Sequence, residues 1–197
     1  MNINRFLPLL LLPLFAVAQA QAGVFNTVHF VSPGEFALGG EAELTFSDNS
    51  GAGINFRFTE GLNELMNVTG LIGTGGGDRK FRFGGNVVFD FFPDIEDQPG
   101  IGIAAQGIYY RLPNVGQFEA TAIPYIHKSF VSGANEIEPF VAIPFGMAFS
   151  EGKYKAISSV VLGSMFKGSE QIRYSMEFGI AVNHADSYLS GGFTYYH

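Results

Sequence analysis

From residue 35 to the end of the chain, apolar and polar residues alternate with a period of two in segment after segment. That rhythm is the signature of strands with two chemically different faces. It is clearest over residues 80–91. Phe81, Phe83, Gly85, Val87, Phe89 and Phe91 fall on one face, and Lys80, Arg82, Gly84, Asn86, Val88 and Asp90 on the other. No internal run approaches the ~20 apolar residues that a membrane-spanning helix needs.

The same pattern sets Phe36, Leu38, Ala42, Leu44 and Phe46 against Glu41, Glu43 and Thr45. It sets Phe56 and Phe58 against Arg57, Val68 and Ile72 against Asn67 and Thr69, and Ile101, Ile103 and Tyr109 against Gln106. Further on, Phe118, Ala120 and Ile126 oppose Glu119 and His127, while Val141, Phe145 and Phe149 oppose Glu138. Tyr174, Met176, Phe178 and Ile180 oppose Arg173 and Glu177, and a last strand runs from Tyr188 to Tyr196. Over residues 154–167 either face could be the apolar one.

Turn-forming clusters separate the runs. They are Ser47–Gly51, Glu60–Asn63, Gly73–Asp78, Pro93–Gly100, Leu112–Gly116, Ser132–Asn135, Glu151–Lys153, Lys167–Glu170 and His184–Ser187. Nine turns predict ten strands, or eight if two weak segments are loops. The short connections predict an up-and-down antiparallel meander with no crossover helix and no second domain.

Alternation alone does not say which face is outside. The apolar face carries no charge in the nine clear strands. The polar face is rich in Gly, Ala, Ser and Thr and poor in the Lys and Glu that cover a soluble exterior. Segments of about ten residues match the ~9–11 needed to cross a bilayer at a tilt. These features predict an all-β, closed transmembrane barrel over residues 35–197, because an open sheet edge in lipid would leave backbone groups unpaired. Counting back from the C-terminus, girdle aromatics are expected at the inner rim (Phe36, Phe91, Tyr174, Tyr195) and at the outer rim (Phe46, Tyr109, Phe149).

Residues 1–22 read as a secretory signal. Arg5 is followed by the apolar stretch Phe6 to Val17, and small residues allow cleavage after Ala18, Ala20 or Ala22. Residues 23–34 form a lead-in. Loss of the signal leaves ten basic and eighteen acidic residues, net −8, with no basic run to suit nucleic acid. The absence of cysteine excludes disulfides, thiol catalysis and a lipoprotein anchor.

The pattern resembles the small bacterial outer-membrane β-barrel proteins as a class. The alternating Leu189, Gly191, Phe193 and Tyr195, followed by Tyr196, are similar to the final strand of that class, although His197 stands where an aromatic usually ends it. The resemblance implies residence in the outer membrane, outer-membrane lipids as surroundings, and recognition by the barrel-assembly machinery.

The inward set defines a predicted lumen network: Glu41, Glu43, Arg57, Lys80, Arg82, Asp90, Glu119, His127, Glu138, Arg173 and Glu177, with Asn55, Asn67, Asn86 and Gln106 as neutral partners. Three functions follow. One is a structural or surface-interaction barrel with a filled lumen. Another is a narrow porin-like channel for small solutes or cations. A lipid-modifying enzyme is a third. Tyr125-Ile126-His127-Lys128-Ser129, with Glu136 or Glu138, resembles loosely the lipid A deacylase family, in which a Ser lies two residues after the His. Phe130 replaces the Asn that follows that Ser. No catalytic residue, cofactor or metal is assigned.

Five features remain. The glycine-rich residues 73–80 lack the spacing of a phosphate loop. Asp94, Glu96 and Asp97 lack the spacing of a calcium loop and are expected in a solvated turn, as are His184 and Asp186. The sequence identifies no partner for His29. Pro124 and Pro144 lie mid-strand, where proline prefers a bulge. A pair of bulges is expected, with a weakened seam as the alternative.

Overall fold

The structure, a computed structural model, describes residues 29–46, 50–75, 78–133 and 135–197. The signal segment, residues 23–28, and parts of three turns lie outside the described residues. Among those described, no helix is long and apolar enough to cross a membrane.

Twelve strand segments occur: β1 (Phe36–Thr45), β2 (Gly51–Asn63), β3 (Met66–Gly73), β4 (Phe81–Phe92), β5 (Gly100–Arg111), β6 (Gly116–His127), β7 (Phe130–Ser132), β8 (Asn135–Ala142), β9 (Phe145–Ser150), β10 (Lys153–Lys167), β11 (Ile172–Asn183) and β12 (Tyr188–Tyr196). They fill ten places in a ring. Strands β8 and β9 both lie between β6 and β10, one following the other. The short β7 pairs with β8, prolonging the line of β6. Every pairing between the strands is antiparallel, and β1 closes on β12 from Ala37↔Tyr196 to Thr45↔Tyr188. The fold is a closed ten-stranded antiparallel barrel. One rim carries both the start of β1 and the end of β12 and is called the terminal rim. The opposite one is the far rim.

The faces divide as the alternation predicts. Among the described residues, thirty-six large apolar side chains are exposed, Phe56 at 63% among them, whereas Glu41, Arg57 and Glu177 are buried. That is the reverse of a water-soluble domain, whose exposed apolar patches rarely exceed a few hundred Å². In β10 the structure settles the open choice: Ile157, Ser159, Val161 and Met165 face inward, and Leu162 and Phe166 outward.

Two local expectations are corrected. Glu60–Asn63 is strand, not turn. The chain reverses at Glu64 and Leu65, where the Asn63 side chain accepts the Leu65 amide at 2.9 Å, the short-range bond that makes Asn a turn former. The two prolines sit in no bulge. Pairing on either side of them keeps one register, with Ala122↔Phe145 before and Tyr125↔Ala142 after. Each proline lacks a donor but still accepts through its carbonyl, Pro124 from the Ile143 amide at 3.0 Å and Pro144 from the Ser159 amide at 3.0 Å. The ladder is thinned there rather than bent.

Gly61 explains where the lead-in goes. A Cβ at this position would lie 2.3 Å from the Val31 carbonyl oxygen and 2.5 Å from that of Ser32. Only glycine lets residues 31–33 lie against β2, where Gly34 and Gly61 also exchange a backbone bond. From there Val31 is buried and Phe30 packs on the interior apolar cluster. Gly61→Ala is expected to expel this strap and expose Phe30 to chymotrypsin while the barrel stays closed. Continued protection of Phe30 would contradict the contact.

Candidate functional site, the barrel interior

The interior has two walls of different chemistry. Glutamates and arginines predominate on β1, β2 and β4. Glu41 accepts from Asn55 and, through both oxygens, from Arg57 Nη2 at 2.9 and 3.0 Å. Arg82 donates to Asn55 and makes a two-pronged contact with Glu43 at 3.2 and 3.1 Å. The forked guanidinium suits such paired bonds. Glu41, Asn55, Arg57, Arg82 and Glu43 thus form one continuous chain across three strands.

The facing wall is apolar. Val88, Ala104, Ile123, Tyr125, Phe140, Ala142, Val161, Met165 and Tyr188 form one buried cluster. This corrects the expectation of a lumen lined by small residues. The inward residues include Phe, Tyr, Met and Arg, and their bulk meets across the axis. Arg82, Tyr110, Ile123, Val161 and Tyr188 have 0–2% of their surface accessible.

At the terminal rim His127 lies between two carboxylates, with Nδ1 2.7 Å from Glu138 Oε1 and Nε2 3.3 Å from Asp90 Oδ2. Tyr125 donates to the other oxygen of Asp90 at 3.0 Å. Arg173 makes a two-pronged contact with Glu136 at 3.0 and 3.1 Å. His29 has partners after all. Its Nδ1 is 3.8 Å from Glu138 Oε2, and its ring meets Tyr196 edge-on. His29, Glu136 and Glu138 each offer a donor atom within 4.8 Å of the others. Arg173 already holds both oxygens of Glu136, so a cation there would compete with a resident positive charge.

At the far rim Arg79 donates to Asp186 at 2.6 Å and stacks over Tyr110. Gln117 donates to Glu119 at 2.6 Å, and Tyr188 to Glu177 at 3.1 Å. Asp186 is therefore buried, not a solvated turn residue, whereas His184 is exposed.

Of the eleven residues in the predicted network, ten are buried. Lys80 is exposed and Arg79 is buried in its stead. The regular strand begins only at Phe81, so parity does not extend back to Lys80. Arg79, Asp186, Glu136, Gln117 and the inward tyrosines were missed. For Tyr110, Tyr125 and Tyr188 the period of two was signal enough, but Arg79 and Asp186 lie in turns, where no period applies.

The loosely deacylase-like residues do not form a catalytic set. Both ring nitrogens of His127 face carboxylates, and the Ser129 hydroxyl contacts Glu136 at 3.4 Å. The acidic turn is likewise an anchor. Asp94 holds the Lys128 ammonium and accepts the Ser129 amide at 2.6 Å. Burial opposes its charge, but the bonds from Lys128 and Ser129 and the nearby positive charge together hold its carboxyl below the ordinary value.

No known protein-family profile matches the chain, and no curated protein does. Among solved structures it is similar to an outer membrane channel from Pseudomonas putida F1, at 6% identity over 91% of this chain and 100% of that one, TM-score 0.48. It is similar to Ail, the attachment invasion locus protein of Yersinia pestis, at 11% identity over 83% and 97%, TM-score 0.32. A de novo designed transmembrane β-barrel aligns at 11% identity over 84% and 98%, TM-score 0.39. The likeness is one of fold.

Proposed function

We propose that this is a bacterial outer-membrane protein, exported by a signal peptide within residues 1–22, whose barrel is a filled membrane anchor with a structural or surface-interaction role. The location rests on the apolar exterior, on which the exposed strand charges Glu60 and Arg111 lie only toward the rims. A closed ring leaves no strand edge to lipid, and β1 to β12 supply such a ring. Outer-membrane lipids are then its surroundings, and β12 is the strand for the assembly machinery to read.

One observation carries the filled lumen: the side chains that meet on the axis have almost no accessible surface. A hydrated pore would wet them. The strap of residues 29–34 adds to the filling at the terminal rim. On this reading the protein is not an enzyme, and the interior charges serve to brace opposite walls.

A second reading has one observation in its favour. Among the described residues, seven acids are buried against four arginines, an excess that would favour cations in a channel. Planar-bilayer recording separates the two. The filled barrel is expected to give no steady conductance. A steady cation-selective conductance, altered when Glu41 and Glu43 are changed to Gln, would replace it with the channel. Location is tested separately: cell fractionation is expected to give a heat-modifiable band in the outer-membrane fraction.

A further inference from the structure

The exposed charges of the barrel are not shared evenly between its rims. At the terminal rim Glu35, Glu60, Glu64, Glu96, Asp97 and Glu170 are exposed. The two lysines near that rim are each held by an acid, Lys128 by Asp94 and Lys167 by Glu170 at 2.8 Å. At the far rim Lys80, Arg111, Lys153 and Lys155 are exposed beside two exposed acids, Asp78 and Glu151, and none of the four cations has an ion-pair partner among the described residues. In a chain with more acids than bases, every exposed unpaired cation of the described residues lies at one end.

They also lie along one arc of that end. The Lys80 amide donates to the Arg111 carbonyl at 2.9 Å. Arg111 stands opposite Gly116, the neighbouring Gln117 opposite Ser150, and Ser150 opposite Lys153. Lys155 follows two residues along β10.

Directly below the arc, on the lipid-facing side, is a groove of about 320 Å³. Tyr109, Phe118, Phe149 and Tyr154 wall it, Gly116 lies at its base, and Lys153 and the acid Glu151 are at its edge. Gly116 keeps it in shape: a Cβ there would come 2.4 Å from the Tyr109 hydroxyl. An apolar slot that opens toward a cationic edge matches a molecule with an acyl chain at one end and phosphate at the other. A free phosphate has no use for the slot, and a neutral lipid none for the cations.

We propose that this arc and groove bind a phosphorylated glycolipid of the outer leaflet, lipid A in chemical class, with phosphates at Lys80, Arg111 and Lys153 and one acyl chain against the aromatic walls. Lys155, paired with the buried Ala148, lies on the inner face of the rim. The proposal rests on the outer-membrane reading above. It also fixes the orientation: the far rim faces outward and the acidic terminal rim faces the periplasm. Cations near a bilayer surface are drawn to anionic headgroups and acids are not.

The test uses the full mature barrel in zwitterionic phosphatidylcholine nanodiscs, with purified lipid A as the probe and native mass spectrometry as the readout. Wild-type barrel is expected to retain one lipid A. The pair Arg111→Glu and Lys153→Glu is expected to weaken retention at least tenfold, the milder Arg111→Gln and Lys153→Gln pair to weaken it less, and the terminal-rim pair Lys128→Gln and Lys167→Gln to leave it unchanged. Equal retention by wild type and both far-rim pairs would overturn the site. So would equal loss from the terminal-rim pair, or displacement of lipid A by inorganic phosphate at equal concentration. Heat-modifiable migration of each variant reports insertion independently. A barrel that inserts but does not retain lipid A sinks this site alone, whereas one that never inserts sinks the membrane reading and the site with it.

Discussion

Replacing Arg82 with methionine is expected to destabilise the folded barrel by about 3–5 kcal/mol, the usual consequence of removing one partner from a buried ion pair. Arg82 has no accessible surface and holds both oxygens of Glu43 as well as Asn55. Without it the Glu43 carboxylate stays buried with its principal countercharge gone. Urea titration in lipid vesicles, followed by the shift between folded and unfolded bands on unheated gels, measures the loss. Adding Glu43→Gln is expected to restore much of it, because a neutral amide is far less costly to bury than an unpaired carboxylate. The experiment also reads the state of the lumen. In a water-filled pore Glu43 would be solvated after the substitution and little stability would be lost.

The second large effect lies on the opposite face. Phe56→Arg is expected to lose about 2–4 kcal/mol in the same titration, the cost of a basic side chain on the lipid face near mid-membrane. Phe56 sits mid-strand in β2, paired with Gly40 and Ile72, and is 63% exposed. In a soluble barrel the exchange would be harmless or would improve solubility. Unchanged stability would therefore remove the ground for the membrane reading, whatever the interior looks like.

The architecture was legible because a two-residue period is a local property. In β4, Phe81, Phe83 and Val87 alternate with Arg82, Asn86 and Val88, and the barrel keeps that parity. The limits of legibility are just as local. Parity fails at Lys80 because the regular strand begins only at Phe81. It says nothing of Arg79 and Asp186, whose ion pair joins residues 107 apart through two turns. Nor could it place His29, which reaches Glu138 only because Gly61 leaves room for the strap. Proline was misjudged for a different reason. A missing donor was expected to force a bulge, but flanking rungs in one register tolerate it. The bulk of the interior is not a property of any single strand. Only the closed ring brings Phe140, Met165 and Tyr188 into one cluster.

The pairing of β1 with β12 also dictates when the molecule can form. Residues 37 and 196 are partners, so the ring joins the two most distant strands of the chain, and such long-range closure is slow. Until it happens, β1 and β12 each present an open row of backbone donors and acceptors, a template for pairing with other chains. Synthesis and folding are thereby separated in time. A half-made chain has no stable stopping point, so a nascent copy must be kept apart from its neighbours until its last strand is available.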